Sequence, residues 1–178
     1  MKNEYLDLVD EDNNLTGKNE LRSVVHSTGL WHRTVHIYLF RKVDNEIELL
    51  VHLRSKDRDL HPNCWDTRFG GHIKSGGSIE EAIKGELMEE VGLELKQSSL
   101  IQGEVYKRDH HPNKEFTHSF YYRFDGDIVT LKFNDGEVQE IKWMKADDVL
   151  DSMYKNPNIW SGSKTGLSKV LDVLENKL

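Results

Sequence analysis

A chain of 178 residues with 37% hydrophobic and 31% charged side chains is long enough, and apolar enough, for one water-soluble domain with a real core. The formal net charge of −7 disfavours a nucleic-acid polymer as partner, because such partners select basic surfaces. The apolar runs are short, Leu49-Leu50-Val51 among the longest, so no segment approaches a membrane span; a single cysteine, Cys64, and no signal-peptide pattern at the start point to a reducing cytoplasm.

In chain order, residues 4–9 and 14–26 read as an opening strand or hairpin and a polar connection. Residues 34–41 alternate around Val35, Ile37 and Leu39 and predict a strand. Residues 46–54 predict the next, joined to it by the turn chemistry of Val43-Asp44-Asn45. His61-Pro62-Asn63 breaks the following loop, and residues 66–69 form a short strand feeding a glycine-rich segment. Strands are expected at 100–106, 115–124, 128–133 and 140–144, with helices at 146–154 and about 164–178. Trp160, before the last helix, reads as a packing anchor. No repeat, low-complexity tract or linker interrupts residues 1–178, and the order predicts one α/β domain with a mixed sheet between helices.

The chemistry concentrates between Gly70 and Leu93. Ser78 and Glu81 form a capping box at a helix start, and Gly92 sits where a left-handed C-cap residue is wanted. Ile79, Ile83 and Leu87 make one apolar stripe. At about 100° per residue, Glu90 falls roughly 20° from Ile83 and Glu86 roughly 60°. Two acids therefore lie in or beside the inward face, with Glu89 adjoining them. A buried pair of like charges is costly unless something compensates, and a magnesium-type cation, which prefers hard oxygen ligands, would do so.

These residues resemble the Nudix box. Gly71 matches its first glycine, and Glu86, Leu87, Glu89, Glu90, Gly92 and Leu93 match its final cluster in register. The resemblance implies a Nudix-type α/β/α sandwich and a metal-dependent hydrolase that cleaves a diphosphate linkage in a nucleoside diphosphate-type or related small molecule. It implies Mg2+ or Mn2+ held by Glu86, Glu89, Glu90 and the carbonyl of Gly70. It also implies a general base, either a box glutamate or a later acid, for which Glu137 is the candidate and Glu140 the competitor. Dimers are common in the family, so a homodimer is a possible state. Two positions depart: the family's upstream glutamate falls on Gly77 and its arginine on Gly85.

The order of landmarks from about residue 4 to 150 resembles the branch related to type I isopentenyl-diphosphate isomerases. Those landmarks include Leu30-Trp31-His32-Arg33, Arg54-Ser55-Lys56-Asp57, Trp65-Asp66 and Gly71-His72. His26, His32 and His72 resemble histidines that bind the isomerase metal, and one downstream isomerase carboxylate falls on Glu115, the other on Asn113. The isomerase cysteine falls on Gly70, and Cys64 is out of register. The expected function is a diphosphate hydrolase on an isomerase-like frame, with His32, Arg33, Arg54, Lys56, His72, Lys74 and Glu115 as candidate substrate contacts. The alternatives are a catalytically weak or inactive binding module, suggested by Gly77 and Gly85, and an isopentenyl-diphosphate isomerase.

Overall fold

The computed structural model describes residues 4–58, 60–95, 99–111, 113–133 and 136–177. The chain opens with an antiparallel hairpin of Tyr5–Val9 (β1) and Leu15–Leu21 (β2). Its turn is held by the Asp10 carboxylate, which accepts the Asp12 and Asn14 amides at 3.0 and 2.8 Å. A short helix, Arg22–Thr28 (α1), follows and stops at Gly29, whose φ of 68° suits a residue without Cβ. The expected polar connection at 14–26 is thus corrected to a strand and a helix. Neither shows a hydrophobic period: β2 is mostly exposed, and α1 buries only Val25.

The main sheet grows from His32–Val43 (β3) and Glu46–Arg54 (β4), an antiparallel hairpin paired Val43 to Glu46. Its two turn residues, Asp44 and Asn45, have φ of 48° and 67°, the left-handed pair a tight hairpin demands. On its other side β3 runs parallel to Asn113–Arg123 (β7), which pairs antiparallel with Leu100–His110 (β6) at the edge. The end of β4 pairs with the short Trp65–Asp66 (β5), and Val138–Lys145 (β8) pairs along β4.

Alternation along β3 builds two cores. Val35, Ile37 and Leu39 meet Phe69 and the Ile83, Leu87 and Val91 stripe of the helix Ile79–Val91 (α2). Tyr38 and Phe40 face the other way. They pack with Tyr121, with Val149 and Met153 of Ala146–Lys155 (α3), and with Leu167, Val170, Leu171 and Leu174 of Lys164–Lys177 (α4). This is the expected α/β/α sandwich with a mixed sheet. Trp160 is the expected anchor: it is buried and its indole N–H donates to Ser152 Oγ at 3.0 Å. Residue 178, the expected end of the last helix, lies outside the described residues.

Two short elements differ from expectation. Residues 128–133 form no strand; Ile128–Thr130 is a single 3-10 turn, because the Asp127 carboxylate caps the Val129 amide at 3.0 Å. Strand pairing after β4 covers only Trp65 and Asp66, and Phe69 rejoins the sheet through a lone bridge to Ile37. The cause is Asp66, whose carboxylate accepts the Arg68 amide at 2.9 Å and bends the chain.

That carboxylate is buried and also accepts Arg68 Nε at 2.8 Å, Arg68 Nη2 at 3.1 Å and the Ser161 hydroxyl. Burial alone would raise its pKa, but the charge and hydrogen bonds of Arg68, helped by His52 and Ser161, hold it well below the usual carboxylate range. Asp66→Ala is expected to lower the unfolding free energy by about 3 kcal/mol at pH 7, measured by urea denaturation, since it strands a buried guanidinium. For a depressed acid, this stability is complete above the unfolded pKa of about 4 and is lost as pH falls through the lower folded value, so the gap between wild type and variant narrows in acid.

In α2, a Cβ on Gly85 would meet nothing within 4 Å. Gly85→Arg is therefore expected to stabilise the protein by roughly 0.5–1 kcal/mol through helix propensity alone, read as a raised melting temperature.

Candidate active site

Helix α2 presents its acids as its sequence pattern dictates. Ser78 Oγ accepts the Glu81 amide at 3.1 Å, Glu81 Oε2 accepts the Ser78 amide at 2.8 Å, and Gly92 closes the helix at φ 65°. The register this fixes turns Glu90 inward, where it is 3% exposed. Its Oε2 accepts the Gly70 amide at 3.0 Å. Glu86 is half-buried against Gly71, where a Cβ would fall 2.4 Å from Glu86 Oε1. At Gly70, φ is 133° and a Cβ would lie 2.2 Å from the Val35 carbonyl oxygen. Only glycine lets the loop press onto both carboxylates. Burial, then the charge of Glu89, pushes the Glu86 carboxyl up to about 7, although Lys74 opposes this. Glu89 itself is exposed, 3.9 Å from Lys74 Nζ.

The next residue, His72, belongs to a second group. His26 of α1, His32 of β3, His72 and Glu115 of β7 bring one ligand atom each to within 4.8 Å of one another. Parallel pairing of β3 with β7 sets His32 beside Glu115, and a bridge from Thr34 to His72 lays the loop across them. His26 Nε2 and His72 Nε2 are 3.0 Å apart. His32 Nδ1 lies 2.9 Å from the Leu30 carbonyl oxygen, so that nitrogen carries the proton and donates it. His32 Nε2 is then a buried lone pair, without a hydrogen-bond partner among the described residues and 3.8 Å from Glu115 Oε1.

Burial lowers the pKa of all three histidines, that of His26 to about 4, so they are neutral at pH 7. Neutral imidazoles, one of them oriented by a backbone carbonyl, together with a carboxylate, are a donor set suited to a divalent transition cation. The acid pair, with oxygen donors only, suits a harder cation.

The other predicted residues divide. Lys74 lines a cleft of about 130 Å³ with His72, Gly77, Gly85 and Glu86. Both positions that lack the box's charged side chains thus open into one space beside Glu86. Arg33 is not in either group: it donates to the side-chain and backbone oxygens of Asn13 and braces the β1–β2 turn. Arg54 holds the Leu60 and His61 carbonyls and lies 3.6 Å from Asp66. Lys56 and Glu140 are exposed. Glu137 is ion-paired with Arg58; its expected turn neighbour, residue 135, lies outside the described residues.

Arg58 is not among the candidate substrate contacts read from the sequence, yet its charge bears on both Glu86 and His72. Arg108 was not singled out at all, and it lies 3.6 Å from Glu115. Neither carries a spacing signal, because their partners are remote in sequence.

Known proteins resemble this chain in sequence and in fold. The NUDIX domain family model matches residues 30–162. An uncharacterised Nudix hydrolase of Clostridium acetobutylicum is 31% identical over 97% of this chain and 89% of its own length. The isopentenyl-diphosphate Delta-isomerase 2 of Photorhabdus laumondii is 30% identical over 89% of this chain and 86% of its own. The crystal structure of Deinococcus radiodurans DR0079 superposes with a TM-score of 0.66 at 26% identity, covering 86% of this chain and 90% of that one. With a capped helix presenting two inward acids to a glycine loop, a family model matching residues 30–162 and a relative covering 97% of it, this chain belongs to the Nudix family and is a Nudix hydrolase.

Proposed function

We propose that this hydrolase cleaves a diphosphate linkage in a nucleoside diphosphate-type small molecule, and that it does so with a divalent cation. The observation that carries the reading is the acid pair Glu86 and Glu90, drawn out of water and backed by the Gly70–Gly71 loop. Glu86 and Glu90, with the carbonyl of Gly70, would hold the ion, Mg2+ or Mn2+. When bound, such a cation neutralises phosphate charge and lowers the pKa of a coordinated water. The pKa of Glu86, raised first by burial and then by the charge of Glu89, fits a carboxylate that a cation would compensate.

The protein's own groups supply the rest. Glu89, exposed on the same helical turn, is the acceptor for the proton of the attacking water; Glu137 is engaged by Arg58 and serves to place that cation. Arg58 and Lys74 then bracket the acids with positive charge where phosphate oxygens would arrive. The group His26, His32, His72 and Glu115 would hold a second divalent cation of the transition series.

An isomerase reading is disfavoured by the backbone at Gly70, where a cysteine Cβ would strike the Val35 carbonyl. Cys64 does not replace it, since its thiol faces the Asn158 carbonyl oxygen at 3.6 Å.

Glu90→Gln keeps an oxygen for the Gly70 amide but removes the charge. It is expected to reduce magnesium-dependent release of AMP from ADP-ribose by about 100-fold or more while the melting temperature holds. Unchanged turnover would refute the assignment, and no turnover of any diphosphate by wild type would favour the binding-module reading.

For the histidine group, cobalt titration should show one tight equivalent in wild type. His32→Ala should weaken it by about 100-fold while leaving magnesium binding at the acid pair intact.

A further inference from the structure

The glycine loop is held on one side by the sheet and on the other by the N-terminal hairpin. Its first half is stitched to β3: the Val35 amide donates to the Gly71 carbonyl at 2.9 Å, and the Ile73 amide to the Arg33 carbonyl at 3.0 Å. Its second half turns away. Lys74, Ser75, Gly76 and Gly77 form a β-turn in which the Gly77 amide donates to the Lys74 carbonyl at 2.9 Å. Gly76, at the third position, has the positive φ, 73°, that a type II turn requires.

Strand β1 takes over there. Leu6 bridges to Lys74, and the Ser75 amide donates to the Tyr5 carbonyl at 2.8 Å. The Asp7 carboxylate grips both residues at the tip of the turn. Its Oδ1 accepts the Ser75 hydroxyl at 2.6 Å, and its Oδ2 accepts the Gly76 amide at 2.9 Å. Asn19 stands opposite Asp7 in the hairpin register, and its Nδ2 donates to the same Ser75 Oγ at 3.0 Å. Leu6, next to Asp7, is fully buried, so a one-residue slip of the strand would turn it out to solvent.

These bonds hold a place that α2 does not hold. At Gly77 and Gly85 the chain has no side chains through which loop and helix could grip each other, and both glycines line the cleft beside Glu86. Lys74 lines that cleft too, and its Nζ is 3.9 Å from Glu89. The ammonium rides on a flexible stem, so the fixed backbone at its root decides which carboxylates it can reach.

Resting on the cation chemistry proposed for the acid pair, we propose that the β1–β2 hairpin is a clamp that keeps Lys74 against Glu86 and Glu89, and that Asp7 is its positioning residue. The clamp sets how much of the acids' charge the protein itself offsets before a cation arrives. Asp7 acts through Ser75, Gly76 and the backbone of Lys74, not by contact with reacting atoms.

Amide hydrogen exchange on the full chain tests the clamp. Asp7→Ala is expected to speed exchange at Gly76 and Gly77 by at least about tenfold while α2 and the β3–β4 hairpin stay protected, because the opening is local. Asp7→Asn keeps an acceptor for the Gly76 amide and should stay within about twofold of wild type, both in exchange and in magnesium affinity. Ser75→Ala removes the Oδ1 and Asn19 bonds but leaves the Gly76 amide on Asp7. Its exchange should fall between the other two, and it decides the matter should Asp7→Ala fail to fold.

Magnesium titration by calorimetry reads Lys74, since this oxygen-preferring ion does not favour the imidazole group. Lys74→Ala removes a cation beside the acids and should tighten Mg2+ about threefold. Asp7→Ala should also tighten it, and the variant carrying both changes should bind Mg2+ no more tightly than Lys74→Ala alone. A hairpin that only stabilised the fold would not give that non-additivity.

Unchanged exchange at Gly76 and Gly77 in both Asp7→Ala and Ser75→Ala, or magnesium effects that add, would overturn the proposal. Failure of the acid-pair reading looks different: Glu90→Gln would then bind Mg2+ as wild type does, and hydrogen exchange would still decide for or against the clamp.

Discussion

Everything at this site depends on how closely one stretch of backbone approaches its surroundings. Gly70, Gly71 and His72 are consecutive, and each does a different job: an amide to Glu90, an open flank to Glu86, an imidazole to His26. A methyl group at either glycine would collide with a carbonyl or a carboxylate at under 2.5 Å. The loop can touch two donor groups of opposite character only because its first two residues have no side chains. The chemistry of the region is thereby divided within one turn of chain into an acid pair and an imidazole group.

The two groups are desolvated in ways that have opposite electrical results. Burial leaves the histidines uncharged and ready to donate lone pairs, while it leaves Glu86 poised near neutrality. At Asp66 the same burial is overcome, because Arg68 sits directly on the carboxylate. The contrast separates an ion pair compensated by its own neighbour from an acid, Glu86, whose burial the charges of Lys74 and Arg58 offset only in part.

Helix α2 was legible from its sequence because local rules agree there: a capping box, a glycine stop and an apolar stripe all imply the same register, and that register placed Glu90 inside. The β3–β4 hairpin was legible for the same reason, through Asp44-Asn45. What was hidden is what depends on distant partners. Helix α1 buries one residue, so it has no stripe to read, yet it delivers His26. Arg33 and Arg54 are candidate substrate contacts through the isomerase-like landmarks they belong to, and the sequence does not show that they also donate to the carbonyls of Asn13 and of Leu60 and His61. Asp127 turned an apolar run into a single helical turn by capping it, a competition that β propensity does not register.

The parallel pairing of β3 with β7 has a kinetic consequence. His32 and Glu115 stand side by side although the hairpin partner, the glycine loop and α2 all lie between them in the chain. Closing so long a segment is entropically expensive and slow compared with forming a hairpin or a helix. The imidazole–carboxylate group therefore assembles only when the central strands have found each other, after α2 and the β3–β4 turn have had ample time to form. Its donor atoms are scattered in any partly folded chain, and a cation held by all four of them would act as a clasp on the finished topology.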